Sequence, residues 1–179
     1  MRRCRASRAF TFVEMLAVLA IAGVLLACAL PAFGDAIARH RLRVATEALL
    51  DALGRARAAA VWRNQPTTLC ASADGRTCLA SSDWTRGWIA RPSLSGDTRQ
   101  PALDDRIVLV HRDGRSSVDF KPNGTSPASN QTLVLCLRGR PSSAVAIVIG
   151  NAGLARRRTA RADEAWTCAA APSRKRKDA

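Results

Sequence analysis

The hydrophobic pattern of this chain begins as a continuous apolar run, narrows to a one-sided stripe, and ends in short apolar segments. From Met15 to Phe33 there are 19 residues without a charged side chain. A helix of that length is about 28 Å long, close to the ~30 Å hydrocarbon core of a bilayer. The run predicts a membrane-spanning helix whose preceding arginines stay on the cytoplasmic side: Arg2, Arg3, Arg5 and Arg8.

A helical stripe continues the pattern beyond the apolar run. Its members recur at steps of three and four residues, which places them on one face of a helix: Leu42, Ala45, Leu49, Ala52, Leu53, Ala56 and Ala60. We therefore expect one helix from about Phe10 to Arg63, bent near Pro31 and Gly34. Its second half should pack its apolar face on a sheet.

Beyond Pro66 the pattern predicts short strands separated by turns. The expected strands are Thr67–Cys70, Gly87–Arg91, Ile107–His111, Ser116–Phe120, Thr132–Leu137 and Ala144–Ile149. Asp113-Gly114 is a hairpin signal between the third and the fourth. The last stretch, Ala169–Ala179, contains Pro, Ser and four consecutive basic residues, and it predicts a disordered basic tail.

Charge and composition narrow the function classes. The formal net charge is +14, and removal of residues 1–9 with their four arginines leaves about +10, which favours polyanionic partners such as nucleic acid or anionic lipid headgroups. No phosphate-cradling glycine loop is visible, and neither of the two histidines has a recognisable Ser or Cys partner. We expect a protein that is not an enzyme and has no cofactor, metal ion or small-molecule substrate.

The junction between the basic leader and the apolar run carries one unexpected residue, Glu14. A carboxylate at the edge of a membrane span is unfavourable and needs a partner or a purpose. The segment Arg8-Ala9-Phe10-Thr11-Phe12-Val13-Glu14 resembles the N-terminus of type IV prepilins and pseudopilins. The resemblance implies cleavage between Ala9 and Phe10 by a prepilin peptidase, methylation of the new N-terminus at Phe10, and a role for Glu14 in filament assembly. Pro31 falls where many pilins have a helix-bending proline.

One departure and two alternatives accompany this interpretation. The family usually has Gly before the cleavage point, where this chain has Ala9. A secretory signal peptide could instead be cleaved at Ala27-Cys28-Ala29, and Leu25-Leu26-Ala27-Cys28 resembles a lipoprotein lipid-attachment box. Both alternatives leave Glu14 unexplained.

The second half of the chain extends the resemblance to the GspH/FimT branch of pseudopilins. The matching motifs are Leu69-Cys70, Gly75, Cys78, Asp83-Trp84, Gly87-Trp88-Ile89, Phe120–Gly124, Asn151-Ala152-Gly153 and Cys168. The branch implies an α+β fold in which a long N-terminal helix, its first half transmembrane, packs on a globular domain of antiparallel β-sheet. The expected organisation is leader 1–9, transmembrane helix 10–33, amphipathic continuation 34–63, periplasmic β-rich head 64–168 and tail 169–179.

Cysteines and tryptophans give expectations for the head. Apart from Cys4 in the leader and Cys28 in the apolar run, four cysteines remain, and disulfides persist in the periplasm. Four cysteines allow three connectivities; the most local one, Cys70–Cys78 with Cys136–Cys168, is preferred. Trp84 and Trp88 are expected in the core. Trp62 should pack at the helix end, and Trp166 should cap the domain.

The resemblance implies two functions that share this fold. The first is a minor pseudopilin of a type II secretion system, anchored in the inner membrane by a single pass and assembled with other pseudopilins into a periplasmic filament. The alternative is a FimT-like minor pilin of a type IV pilus that binds DNA through a basic segment after the last glycine. The candidate DNA-binding residues are Arg156, Arg157, Arg158 and Arg161, although Leu154 and Ala155 separate them from Gly153.

Overall fold

The computed structural model describes residues 12–91, 100–127 and 131–171, without the side chains of residues 28 and 30–32. Helix α1 spans Phe12–Trp62, and the remaining elements follow in chain order: β1 (Thr67–Ala71), β2 (Trp88–Arg91), β3 (Ile107–His111), β4 (Ser117–Phe120), β5 (Gln131–Leu137), β6 (Arg140–Ile149), β7 (Ala155–Thr159) and α2 (Ala162–Ala169). The predicted long helix and six of these strands are confirmed. The predicted leader, residues 1–9, lies outside the described residues.

The chain divides into two compact units, Met1–Ile37 and Ala38–Ala179. In the first unit the backbone is helical from Phe12 onward, including Pro31, and the bend expected there stays a prediction. Its large apolar side chains are exposed, for example 65% for Leu19 and 67% for Val24.

Among the helices in the described ranges, none has the combination of length and hydropathy that crossing a membrane requires.

The second unit buries the predicted stripe of α1. All seven stripe residues, from Leu42 to Ala60, are at most 5% exposed. They share one core with side chains of both sheets, among them Leu69, Phe120 and Leu135. The sequence prediction that this half of α1 packs its apolar face on β-structure is therefore confirmed.

The strands form two antiparallel sheets, one of order β2-β1-β4 and one of order β3-β5-β6-β7. The predicted hairpin between β3 and β4 is wrong. A turn at Gly114 does follow β3, but β3 pairs with β5 and β4 pairs with β1. The segment between β3 and β4 connects the two sheets. The local turn signal was therefore correct about the turn but did not predict which strands pair.

Strand β5 explains why its sequence is apolar without alternation. Leu133 and Leu135 face the α1 core, whereas Val134 and Cys136 belong to a second cluster under α2. A strand covered on both faces needs apolar residues at every position. Helix α2 therefore forms the second cover of the four-stranded sheet.

Two elements were missed by sequence analysis, β7 and α2. The β7 sequence is Ala-Arg-Arg-Arg-Thr, which has no apolar alternation, and its strand structure comes from pairing with β6. Ala169, expected to start the tail, is instead the buried last residue of α2. The rest of the predicted tail from residue 172 onward lies outside the described residues.

Both disulfides have the preferred connectivity, Cys70–Cys78 and Cys136–Cys168. The second one attaches α2 to β5.

The tryptophan expectations met mixed outcomes. Trp84 and Trp88 are buried in the core as expected. Trp62 is 88% exposed and Trp166 is 67% exposed, so the expected packing of these two rings is wrong. Both rings project into solvent, away from the faces that α1 and α2 bury.

Two turns meet against the last turns of α1. Arg57 Nε donates to the carbonyl oxygen of Gly124 at 3.0 Å, and the backbone N–H of Ser126 donates to that of Asn151 at 3.0 Å. Gly153 has φ +72°, and a Cβ there would lie 2.0 Å from the carbonyl oxygen of Gly124. This close approach requires glycine at position 153.

Candidate functional site

The N-terminal half of α1 presents an apolar surface with one carboxylate. Glu14 lies in the first described turn of the helix and is exposed, as are Phe12, Val13 and Met15 around it. A carboxylate there interacts favourably with the positive end of the helix dipole. Ala9 and Phe10, the predicted cleavage and methylation positions, lie outside the described residues, so both modifications stay predictions.

The arginine run, Arg156–Arg158, lies on β7, an edge strand of the four-stranded sheet. Charged side chains on an edge strand oppose pairing with a further strand. Because side chains alternate between the two faces of a strand, Arg157 points to one face and its two neighbours to the other. The strand register agrees with this. Arg157 pairs with Ile147, which belongs to the α1 core, and Arg158 pairs with Ala146, which does not.

On the α1 face, Arg157 forms an ion pair with Glu47 at 2.8 Å. Both side chains are more than half exposed, at 53% and 57%. A pair so exposed to solvent contributes at most about 1 kcal/mol. It nevertheless links β7 to α1 across 110 positions of sequence.

On the α2 face, Arg158 donates two hydrogen bonds of 2.7 Å to the two carboxylate oxygens of Glu164. Arg112 donates to the same carboxylate at 3.2 Å, and the backbone N–H of Arg161 donates at 2.8 Å. Glu164 is only 2% exposed. These donors, Arg158 first, lower the pKa of Glu164 to about 2. The Glu164 carboxylate in turn raises the pKa of the Arg158 guanidinium.

Two of the three arginines in the run therefore form ion pairs that attach β7 to the neighbouring helices. Arg157 holds the strand to α1, and Arg158 holds it to α2. Arg156 and the Arg161 side chain are exposed, and neither has an ion-pair partner within the described residues. The four candidate DNA-binding arginines are close in sequence, but β7 divides three of them between its two faces, and Arg161 lies beyond the strand at the start of α2.

Sequence reasoning missed the acidic partners of this cluster, Glu47 and Glu164. The one local signal was the position of Glu164 three residues after Arg161, because a Glu at that position of a helix start commonly accepts from the N-cap N–H. This signal could be used only if α2 was recognised as a helix. The strand before it, β7, was also missed, because its three arginines have no apolar alternation.

A buried histidine connects β3 to β5. His111 is 3% exposed. Its Nδ1 accepts from the backbone N–H of Asp113 at 3.2 Å, and its Nε2 lies 3.2 Å from Oε1 of Gln131. With Nδ1 as acceptor, Nε2 is the protonated nitrogen and donates to Gln131. Burial lowers the pKa of His111, so the ring is neutral at pH 7.

Comparison with known protein families gives two matches. The model described as type II transport protein GspH matches residues 45–153, which is more than half of the 179 residues. The chain belongs to the GspH family. A second model, the prokaryotic N-terminal methylation motif, matches residues 4–29. Family membership makes the protein a minor pseudopilin or pilin, a structural class of the type II secretion and type IV pilus systems.

Solved structures support the fold. The type IV minor pilin FimU of Pseudomonas aeruginosa, strain PAO1, in space group P21 matches with TM-score 0.54 and 20% identity, covering 70% of this chain and 92% of that one. The same pilin in space group P65 matches with TM-score 0.50 and 22% identity, covering 68% and 94%. Among curated proteins, none matches the chain. The α+β prediction of a long helix followed by antiparallel sheets is confirmed.

Proposed function

We propose that this GspH-family protein is a minor pseudopilin of a type II secretion system and takes part in protein secretion across the outer membrane. The observation that carries the proposal is the GspH match over residues 45–153, preceded by the methylation motif over 4–29. Residues 10–33 anchor the subunit in the inner membrane before assembly. The two disulfides support a periplasmic location for the head, because disulfides persist in that compartment.

Processing is proposed to occur between Ala9 and Phe10. A prepilin peptidase removes the leader, and Phe10 becomes the methylated N-terminus. The methylation-motif match spans both residues. N-terminal mass spectrometry of the protein from membranes tests this step. Methyl-Phe10 is the expected result, and an acylated Cys28 would contradict it in favour of a lipoprotein.

Glu14 is proposed to set the axial register of the subunit in the filament. Its carboxylate would pair with the positive N-terminal amine of Phe10 of a neighbouring subunit. Between apolar helices this ion pair is screened little, so its geometry selects one position along the filament. The exposed apolar surface around Glu14 supports the proposal, because filament packing would cover it.

The second candidate function is DNA binding by a FimT-like minor pilin. In its favour, Arg156 and Arg161 are exposed cations without an ion-pair partner in the described part of the chain, and the exposed ring of Trp166 lies five residues beyond Arg161. Against it, Arg157 and Arg158 are already bound to Glu47 and Glu164. A surface of two arginines would give weak, salt-dependent phosphate contacts.

A deletion strain separates the two candidates. Loss of exoprotein secretion, with twitching and transformation unchanged, is the result expected from the first proposal. Complementation with Arg156→Gln/Arg161→Gln should restore secretion fully. Normal secretion together with impaired transformation, restored by the wild-type gene but not by this double variant, would assign the protein to DNA uptake instead.

A further inference from the structure

An open groove of about 510 Å³ lies between α1 and the four-stranded sheet. Its lining residues are Arg39, Leu42, Arg43, Thr46, Glu47, Val145 and Arg157. Leu42 and the half-buried Val145 form an apolar floor. The hydroxyl of Thr46 donates to the carbonyl oxygen of Leu42 at 2.8 Å, so the floor offers little polar recognition of its own.

The rim of the groove is cationic. Three arginines and one glutamate line it, which gives a net charge of +2. Arg157 is neutralised by Glu47, and the nearby Arg41, outside the lining, is bound to Asp104. Arg39 and Arg43 are exposed and have no hydrogen-bond or ion-pair partner among the residues that the structure describes.

Arg39 and Arg43 are one helical turn apart and line the same groove. Like charges at this spacing disfavour the helix. A bound anion would reverse that effect, because one phosphate can accept hydrogen bonds from two guanidinium groups. The arrangement of two free guanidinium groups above an apolar floor fits a ligand that has an anionic group and an apolar part.

The position in the sequence indicates which ligand this is, and here the inference rests on the membrane anchoring in the proposed function. Arg39 follows Phe33, the end of the uncharged run, by six residues. Arginines close to a membrane segment normally lie on the cytoplasmic side, whereas these would lie on the periplasmic side. Anionic lipid headgroups attract arginines near the membrane surface and offset this unfavourable placement.

We propose that the groove binds an anionic phospholipid, with its phosphate between Arg39 and Arg43 and its apolar part on Leu42 and Val145. The subunit would hold this lipid while it is stored in the inner membrane. It would release the lipid when neighbouring subunits cover α1 in the filament.

The test uses the full-length chain, purified in a mild non-ionic detergent and examined by native mass spectrometry. Phosphatidylglycerol and phosphatidylethanolamine are added in equal amounts. The wild type should retain phosphatidylglycerol preferentially, and Arg39→Gln/Arg43→Gln should weaken that retention roughly tenfold. Arg76→Gln/Arg86→Gln, which removes the same charge from exposed positions outside the groove, should leave retention unchanged. Arg39→Lys/Arg43→Lys, which keeps the charge, should retain most of the binding.

Three outcomes would overturn the proposal. The first is equal retention of the two lipids by the wild type, and the second is equal weakening by the groove variant and its control. The third is normal lipid retention by Arg39→Gln/Arg43→Gln; together with loss of filament incorporation, it would identify the ligand as a carboxylate of a neighbouring subunit instead. Membrane flotation of each variant is measured in parallel. Failure of the wild type to float with membranes would refute the anchoring in the proposed function, whereas flotation without lipid preference would refute the groove proposal alone.

Discussion

Glu164→Gln tests the attachment of α2 to the sheet. The substitution keeps the size of the side chain and removes its charge. The carboxylate is buried and receives two hydrogen bonds from Arg158, one from Arg112 and one from the backbone N–H of Arg161. A neutral amide cannot replace this set, because one of its two polar groups is a donor that would face guanidinium donors.

The magnitude follows from the pKa. The pKa of Glu164 is about 2 in the folded protein, against an ordinary value of 4.5. Each pKa unit corresponds to about 1.4 kcal/mol, so the interactions favour the charged form by about 3 kcal/mol. Because the folded-state pKa is the lower one, this stability is present above pH 4.5 and is lost as the pH falls toward 2. We expect Glu164→Gln to lower the free energy of unfolding by about 3 kcal/mol at pH 7.

The assay is urea unfolding of the full-length chain in detergent, followed by the fluorescence of the buried Trp84 and Trp88. Glu47→Gln is the matched control, because it removes the same charge from an exposed ion pair with Arg157. It should cost less than about 1 kcal/mol. Between pH 5 and pH 2 the wild type should lose stability toward the level of Glu164→Gln, whose stability should depend less on pH. Equal costs for the two substitutions at pH 7 would refute the reasoning.

Three further predictions concern the head. The stability of the wild type should fall as the pH drops below about 6.5, because His111 has a lowered folded-state pKa and the unfolded chain binds the proton first. His111→Gln should flatten that part of the pH profile of stability. An unchanged profile would contradict the neutral, buried state of His111. Gly153→Ala should lower the free energy of unfolding, measured in urea, by more than about 2 kcal/mol. Gly139 has a similar positive φ but open space around it, so Gly139→Ala should lower the free energy of unfolding by about 1 kcal/mol. Equal losses would refute the close contact at Gly153. Cys136→Ala/Cys168→Ala should cost about 3–4 kcal/mol and expose α2 to hydrogen exchange, since the disulfide joins residues 32 positions apart; unchanged protection of α2 would count against its role.

The elements that could be predicted from the sequence are those whose own residues contain the signal. The second half of α1 has an apolar stripe at helical spacing, and its burial followed directly. Strands β3, β5 and β6 contain enough Val, Ile and Leu to be recognised. The predicted bounds of β3 are correct, whereas β5 begins one residue and β6 four residues earlier than predicted. The local cysteine pairing was also correct.

Strand β7 could not be predicted, because its strand structure is imposed by its neighbour. Three consecutive arginines have no β-pattern, and the strand forms by pairing with β6. Of the ion-pair partners, Glu47 lies 110 positions away from Arg157, and Glu164 lies six positions beyond Arg158 on the helix α2, which the sequence analysis missed. The basic run suggested a binding surface, but two of its arginines form ion pairs that attach the strand to α1 and α2. The assignment of Arg157 required the position of Glu47, which only the folded chain brings near, and that of Arg158 required the recognition of α2, which contains Glu164.

Filament incorporation of Glu14→Ala tests the central claim most directly. Wild type and variant are expressed in the deletion strain, equal membrane insertion is verified by flotation, and filaments are sheared and purified through the major subunit. The account predicts that wild-type protein co-purifies with the filament and that Glu14→Ala remains in the membrane. Equal co-purification of the two would contradict the role of Glu14, and absence of the wild type from the filament would contradict the assignment as a filament subunit.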